Sequence, residues 1–162
     1  MFELSLENIL TLEDIELVIR LLVSVALGAI VGYEREISHK PAGLRTHIFV
    51  CMGACLFTIA SFFLIPSDVS GNYDVTRIAA GIVAGISFIG AGSIIALRGD
   101  VKGLTTAASL WVIAAVGLIL GLGNYLLPVV TTIIAYIILR LDRVEKNRLN
   151  SKNYYFQRSK RE

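Results

Sequence analysis

Long apolar runs broken by short polar turns set the plan of this chain. Ile78 to Leu97 is 20 residues without a charge, closed by Arg77 and Arg98, and Leu104 to Leu122 is another 19. At a rise of about 1.5 Å per residue, either run as a helix crosses a hydrocarbon core of about 30 Å. Only Arg98-Gly99-Asp100-Val101-Lys102 separates them, so the pattern predicts a tight helical hairpin. Three further runs surround this pair. The first, Leu17 to Tyr33, leads into a basic loop centred on Lys40-Pro41-Ala42-Gly43, where proline disfavours helix and glycine permits a tight turn. The second extends from Arg45 to Ile65 and meets Pro66. The last, Tyr125 to Leu139, is 15 residues long and carries Pro128 in its first turn, where a missing N–H does little harm. The predicted fold class is all-α: a polytopic membrane protein with five transmembrane helices over residues 15–140.

Charge placement orients these helices. Residues 1–14 carry Glu3, Glu7, Glu13 and Asp14 but no Lys or Arg, unlike a signal peptide with its basic start. Arg35, Lys40 and Arg45 follow the first run, Arg98 and Lys102 follow the third, and the tail from Arg140 to Glu162 holds eight basic residues against three acidic ones. The intervening loops are nearly free of Lys and Arg. Basic loops stay in the cytoplasm, so residues 1–14 are expected outside as an acidic extracytoplasmic segment, with residues 141–162 inside as a basic cytoplasmic tail. Composition agrees: charged residues make up 17% and the mean hydropathy is +0.70, whereas soluble domains carry about 25% charge. Nothing points to nucleic acid; the basic tail suits anionic lipid.

Candidate chemistry falls into two shells of ionisable side chains. On the outer side are Asp14, Glu16, Arg20, Asp74 and Arg77. Arg20 lies about one turn inside the first run, so it either snorkels to headgroups or finds a carboxylate, with Asp74 the first choice. On the inner side are Glu34, Arg35, Glu36, Arg45, His47, Arg98, Asp100 and Lys102, with the hydroxyls of Thr105, Thr106 and Ser109 beside them. The free N–H groups at the start of the fourth run, with Thr105, Thr106 and nearby arginines, would suit a phosphate or lipid headgroup; plain anchoring by inside charges is the alternative. Small residues form a third feature. Gly28 and Gly32, Gly81, Gly85 and Gly92, and Gly117 and Gly121 recur at helical spacing and let backbones approach closely. They are expected to pack helices within one subunit, with a homo-oligomer interface or a thin pore wall as alternatives. Cys51 and Cys55, four apart in an apolar run, read as small buried hydrophobes, because two thiols without further ligands make a poor metal site. No Ser-His-Asp set, phosphate loop or metal-ligand cluster is present, and the expectation is of no enzymatic activity and no resident cofactor.

Several of these residues carry a family resemblance. Gly32-Tyr33-Glu34-Arg35-Glu36, Lys40 to His47 (KPAGLRTH), Arg77-Ile78-Ala79-Ala80, Phe88-Ile89-Gly90-Ala91-Gly92, and Gly103 to Ala108 (GLTTAA) with Trp111 resemble, in order, motifs of the MgtC/SapB family of bacterial membrane proteins. The resemblance covers residues 15–140. It implies a multi-pass protein of the bacterial inner membrane, with a five-helix hydrophobic domain and a role in adaptation to low magnesium. In some pathogens it implies a virulence-associated role in survival inside macrophages. Some members act as regulators of the F-type ATP synthase, and many carry a soluble domain after the helices, where this chain has a short basic tail. Gly81, Ser87 and Ser93 depart from the family pattern.

Three functions follow as expectations. The first is a non-enzymatic regulator that binds a membrane partner, such as an F-type ATP synthase, through small-residue faces and the inner charged shell, in contact with membrane lipids. The second is a magnesium channel or transporter, with Mg2+ as the ion handled. Magnesium demands oxygen ligands and sheds water reluctantly; the middle of the third run offers only Ser87 and Ser93, and the outer acids only a vestibule. The third is a membrane enzyme using Glu34, Arg45 and His47. The first is favoured and the second is the alternative.

Overall fold

The computed structural model describes residues 11–63, 76–97 and 100–141. Within them five helices run antiparallel to their sequence neighbours. They are α1 (Leu12–Ile37), α2 (Leu44–Phe63), α3 (Thr76–Gly92), α4 (Leu104–Gly121) and α5 (Leu126–Leu141). Helix α1 begins one turn before the apolar run because Thr11 forms a capping box: its backbone N–H donates to Asp14 Oδ2 at 3.0 Å and its hydroxyl accepts from the Asp14 N–H at 3.2 Å. It ends where His39 takes a left-handed φ of 50° and the Lys40 N–H donates back to the Arg35 carbonyl at 3.1 Å. Pro41 then prevents any continuation. At α5, the Asn124 side chain accepts from the Leu127 N–H at 3.1 Å, which caps the helix and leaves Pro128 in the first turn.

Helix α2 is the centre of the bundle, held between α1 and α4. Glycines explain how it can be. A methyl group at Gly28 would stand 2.9 Å from the His47 carbonyl oxygen, and one at Gly32 would stand 2.8 Å from the Leu44 Cα. On the other side, side chains at Gly117 and Gly121 would overlap the Cys51 carbonyl and Thr58. These two pairs meet the expectation of backbone-to-backbone packing. Leu27, Val31, Cys51, Cys55, Ile59, Ile113, Val116, Leu120 and Leu139 fill the core between them, and both cysteines are free, buried thiols.

The hairpin between the third and fourth runs departs from expectation. Helix α3 stops at Gly92, and Ile95–Leu97 pairs antiparallel with Asp100–Lys102 as a short ribbon, β1 and β2, with Ala96 opposite Val101. The run is therefore not one 20-residue helix: the 17-residue α3 begins at Thr76, ahead of the run, and stops at Gly92, and a strand follows. Local chemistry accounts for this. Ser93 and Ile94 donate their N–H groups to the Gly90 and Ala91 carbonyls in tight final turns, and the β-branched Ile94-Ile95 pair favours extended backbone. Gly103, at φ 94°, turns the chain into α4, and only glycine fits there: a side chain would strike the Ser93 carbonyl.

Helices α1, α2 and α4 are long and apolar enough to cross a membrane, whereas α3 and α5 are shorter apolar helices. The outside of the bundle is correspondingly apolar. Phe49, Phe57, Phe63, Phe88 and Leu126 are among many large hydrophobic side chains left exposed, which is stable only in lipid.

Helix α3 is the loosest member. Only Ile86 and Gly90 on it are buried. Nothing lies within 4 Å of a side chain built at Gly81, Gly85 or Gly92. These three glycines therefore do not pack helices within the subunit as expected, because α3 leans on α4 through its Ile86 side alone. The space left between α2 and α3 is an apolar cleft of about 920 Å³.

Candidate functional site

The inner-shell residues split into a buried set and an exposed set. Glu34 and Arg35 occupy the last turn and a half of α1, facing α5 and the α1–α2 loop, and both are 1% exposed or less. Arg35 Nε donates to Glu34 Oε2 at 2.6 Å, and Nη2 reaches the Leu139 carbonyl at 3.4 Å. The Ser38 hydroxyl donates to the other Glu34 oxygen at 2.8 Å. Arg35 Nη1 is the one buried side-chain polar atom among the described residues without a hydrogen-bond partner. Two charges in so dry a place persist because each neutralises the other and takes additional hydrogen bonds.

One turn into α2, His47 is fully buried. Its Nδ1 lies 2.8 Å from the Gly43 carbonyl, which only accepts, so Nδ1 carries a proton. Its Nε2 lies 3.0 Å from Ser109 Oγ on α4, and that hydroxyl is 2.8 Å from the Thr106 carbonyl. With a neutral ring the single Ser109 proton serves either Nε2 or the Thr106 carbonyl. His47 thus ties α1's loop, α2 and α4 together at the end of the bundle where Arg35 ties α1 to α5. Glu36 closes the loop from outside, its carboxylate accepting from the Leu44 N–H at 2.9 Å.

The described residues do not assemble the expected anion cradle at the start of α4. Thr106 is buried and Thr105 exposed, on different faces. Arg35 is engaged by Glu34. Arg45 is exposed and lines the α2–α3 cleft instead, with Thr46 beside it and Arg77 at the far end. At the opposite end of the bundle, Arg20 pairs with Glu16 one turn back along α1, and its Nη1 donates to the Gly121 carbonyl at 2.9 Å. Among the described residues its carboxylate partner is Glu16; Asp74, the expected partner, lies outside the described residues, as does Arg98. The i, i+4 spacing of Glu16 and Arg20 was signal enough for that pair. Ser109, one helical turn from Thr106, is the hydroxyl that meets His47. No spacing rule reports a contact across 62 positions.

Apolar helices around a buried ion pair, with a hydrophobic exterior, define a multi-pass membrane protein. The sequence profile of the MgtC family matches residues 21–147, and the chain belongs to that family. It is 42% identical over 146 residues to the "Putative magnesium transporter YhiD" of Escherichia coli K12, covering 88% of this chain and 67% of that protein. It is 48% identical over 97 residues to the protein MgtC of Brucella abortus 2308 (60% of this chain, 39% of the relative). It is 43% identical over 117 residues to the protein MgtC of Salmonella typhimurium LT2 (72% and 48%). The chain thus spans under half the length of these two MgtC proteins. No solved structure matches it.

Proposed function

We propose that this protein is a non-enzymatic regulator of the bacterial inner membrane in magnesium-related physiology, with five spans, an external N-terminus and a cytoplasmic C-terminus. It acts by binding another membrane protein. The observation that carries the reading is the outer face of α3. Ala80, Ala84, Ser87 and Ala91 lie at helical spacing on that face, away from the Ile86–Gly90 contact, and all four are exposed. The Ser87 hydroxyl is already bonded to the Val83 carbonyl at 2.8 Å. A smooth small-residue stripe on a loosely held helix suits docking of a second helix in lipid. The F-type ATP synthase is the partner that the family resemblance suggests. Ala84→Leu should abolish its co-purification with the full chain while leaving membrane insertion intact; undiminished capture would remove this face as the site.

A second reading, a magnesium transporter, is favoured by the name of the Escherichia coli relative. Liposomes carrying the purified chain and an internal magnesium dye separate the two. Regulator function predicts no protein-dependent entry, and flux that falls in Asp74→Asn would establish transport instead.

A further inference from the structure

We infer that the cleft between α2 and α3 is a binding site for an anionic phospholipid, with its phosphate on Arg45 and an acyl chain running toward Arg77. This inference is independent of the outer α3 stripe. The cleft extends from Arg45 to Phe57 on α2 and from Arg77 to Ile89 on α3. Each stretch covers about 18 Å at 1.5 Å per residue, a little more than one leaflet of a core about 30 Å thick. Between its ends the lining is hydrocarbon and aromatic, with Gly81 and Gly85 opening the floor. Among the described residues its only charges are the two arginines. Both are exposed, and neither has a hydrogen bond or ion pair with the described residues. The Thr46 hydroxyl lies on the same lining beside Arg45.

Charge decides between occupants. A second copy of this chain would enter the membrane in the same orientation. Paired by a two-fold axis along the membrane normal, it would set Arg45 at the depth of Arg45 and Arg77 at the depth of Arg77. Like charges brought together at an interface are strongly disfavoured. A phospholipid instead carries its negative charge at headgroup depth, where Arg45 stands at the start of α2, and its apolar chain below. A zwitterionic lipid offers the same chain without net charge, so the arginine gives the site its preference.

The test uses the full chain, purified in mild detergent and delipidated, with lipid binding read by native mass spectrometry. Phosphatidylglycerol and phosphatidylcholine of identical acyl chains are the probes. The wild type should bind phosphatidylglycerol about fivefold more tightly, as expected for one arginine near a headgroup. Arg45→Gln should erase that preference, Arg45→Lys should keep most of it, and Gly85→Leu should weaken both lipids by filling the cleft. Equal affinities in the wild type would overturn the inference, as would a preference that survives Arg45→Gln. A dimer that Gly85→Leu dissociates, with no lipid retained, would assign the cleft to a second copy. Arg45 is exposed and its replacement leaves the packing untouched, so the outcome stands even if Gly85→Leu fails to fold.

Discussion

Arg35 and Glu34 show how an interior charge is tolerated in this protein. Neither survives burial alone: the guanidinium needs the carboxylate, and the carboxylate also takes the Ser38 hydroxyl. Removing one partner of a buried pair leaves the other uncompensated, at about 3–5 kcal/mol, whereas losing an ordinary hydrogen bond costs about 1 kcal/mol. Glu34→Ala should therefore destabilise the detergent-solubilised protein several times more than Ser38→Ala in denaturant titrations. Equal losses would mean that the pair contributes no more than a surface contact. Both residues were recognisable in the sequence as inner-shell charges, but their pairing with each other and their complete burial were not. Adjacent residues on a helix point about 100° apart, and only the closure of α5 over the end of α1 forces the two side chains together.

At the scale of the helices, seven glycines with similar spacing do two different things. Gly28, Gly32, Gly117 and Gly121 admit α2 into the bundle, while a methyl group at Gly81, Gly85 or Gly92 would meet none of the described residues. Replacing one of each kind separates the roles. Gly117→Ala should collapse the α2–α4 contact, because its methyl group would overlap the Cys51 carbonyl. Gly81→Ala has open space and should be neutral or stabilise α3 by up to about 1 kcal/mol through higher helix propensity. Thermal unfolding of the two variants in one detergent checks both; similar melting temperatures would contradict the packing described. The sequence showed that the small residues lie on helix faces, and could not show which faces would be covered. The β-ribbon was hidden for a related reason. Apolar residues from Ile94 to Leu97 suit a lipid-embedded helix and a strand equally well, and the hairpin partner across the turn decides between them.

For the whole molecule, orientation is the property on which the proposed function depends. The proposed orientation, with an external N-terminus and internal basic loops, would place the Arg35–His47 end of the bundle at the cytoplasmic face. A membrane-impermeant maleimide should then label Glu13→Cys in intact spheroplasts and Lys102→Cys only after permeabilisation. Cys51 and Cys55 are fully buried, so the background should be silent. Labelling of Lys102→Cys in intact spheroplasts would invert the arrangement and move the charged shell to the outer face.

The sequence by itself determined the class of molecule, the approximate extent of each apolar run, the loop turn at Pro41, and the family. All of these rest on hydropathy, spacing and turn chemistry within a few residues, which are local properties of a chain. The tertiary structure decided which charges are dry and which line a cleft, that His47 meets Ser109, that Arg20 reaches the Gly121 carbonyl, and that α3 stands partly apart. Those outcomes depend on how closely distant helix backbones approach, and that distance is set by side-chain volumes across the whole interface at once.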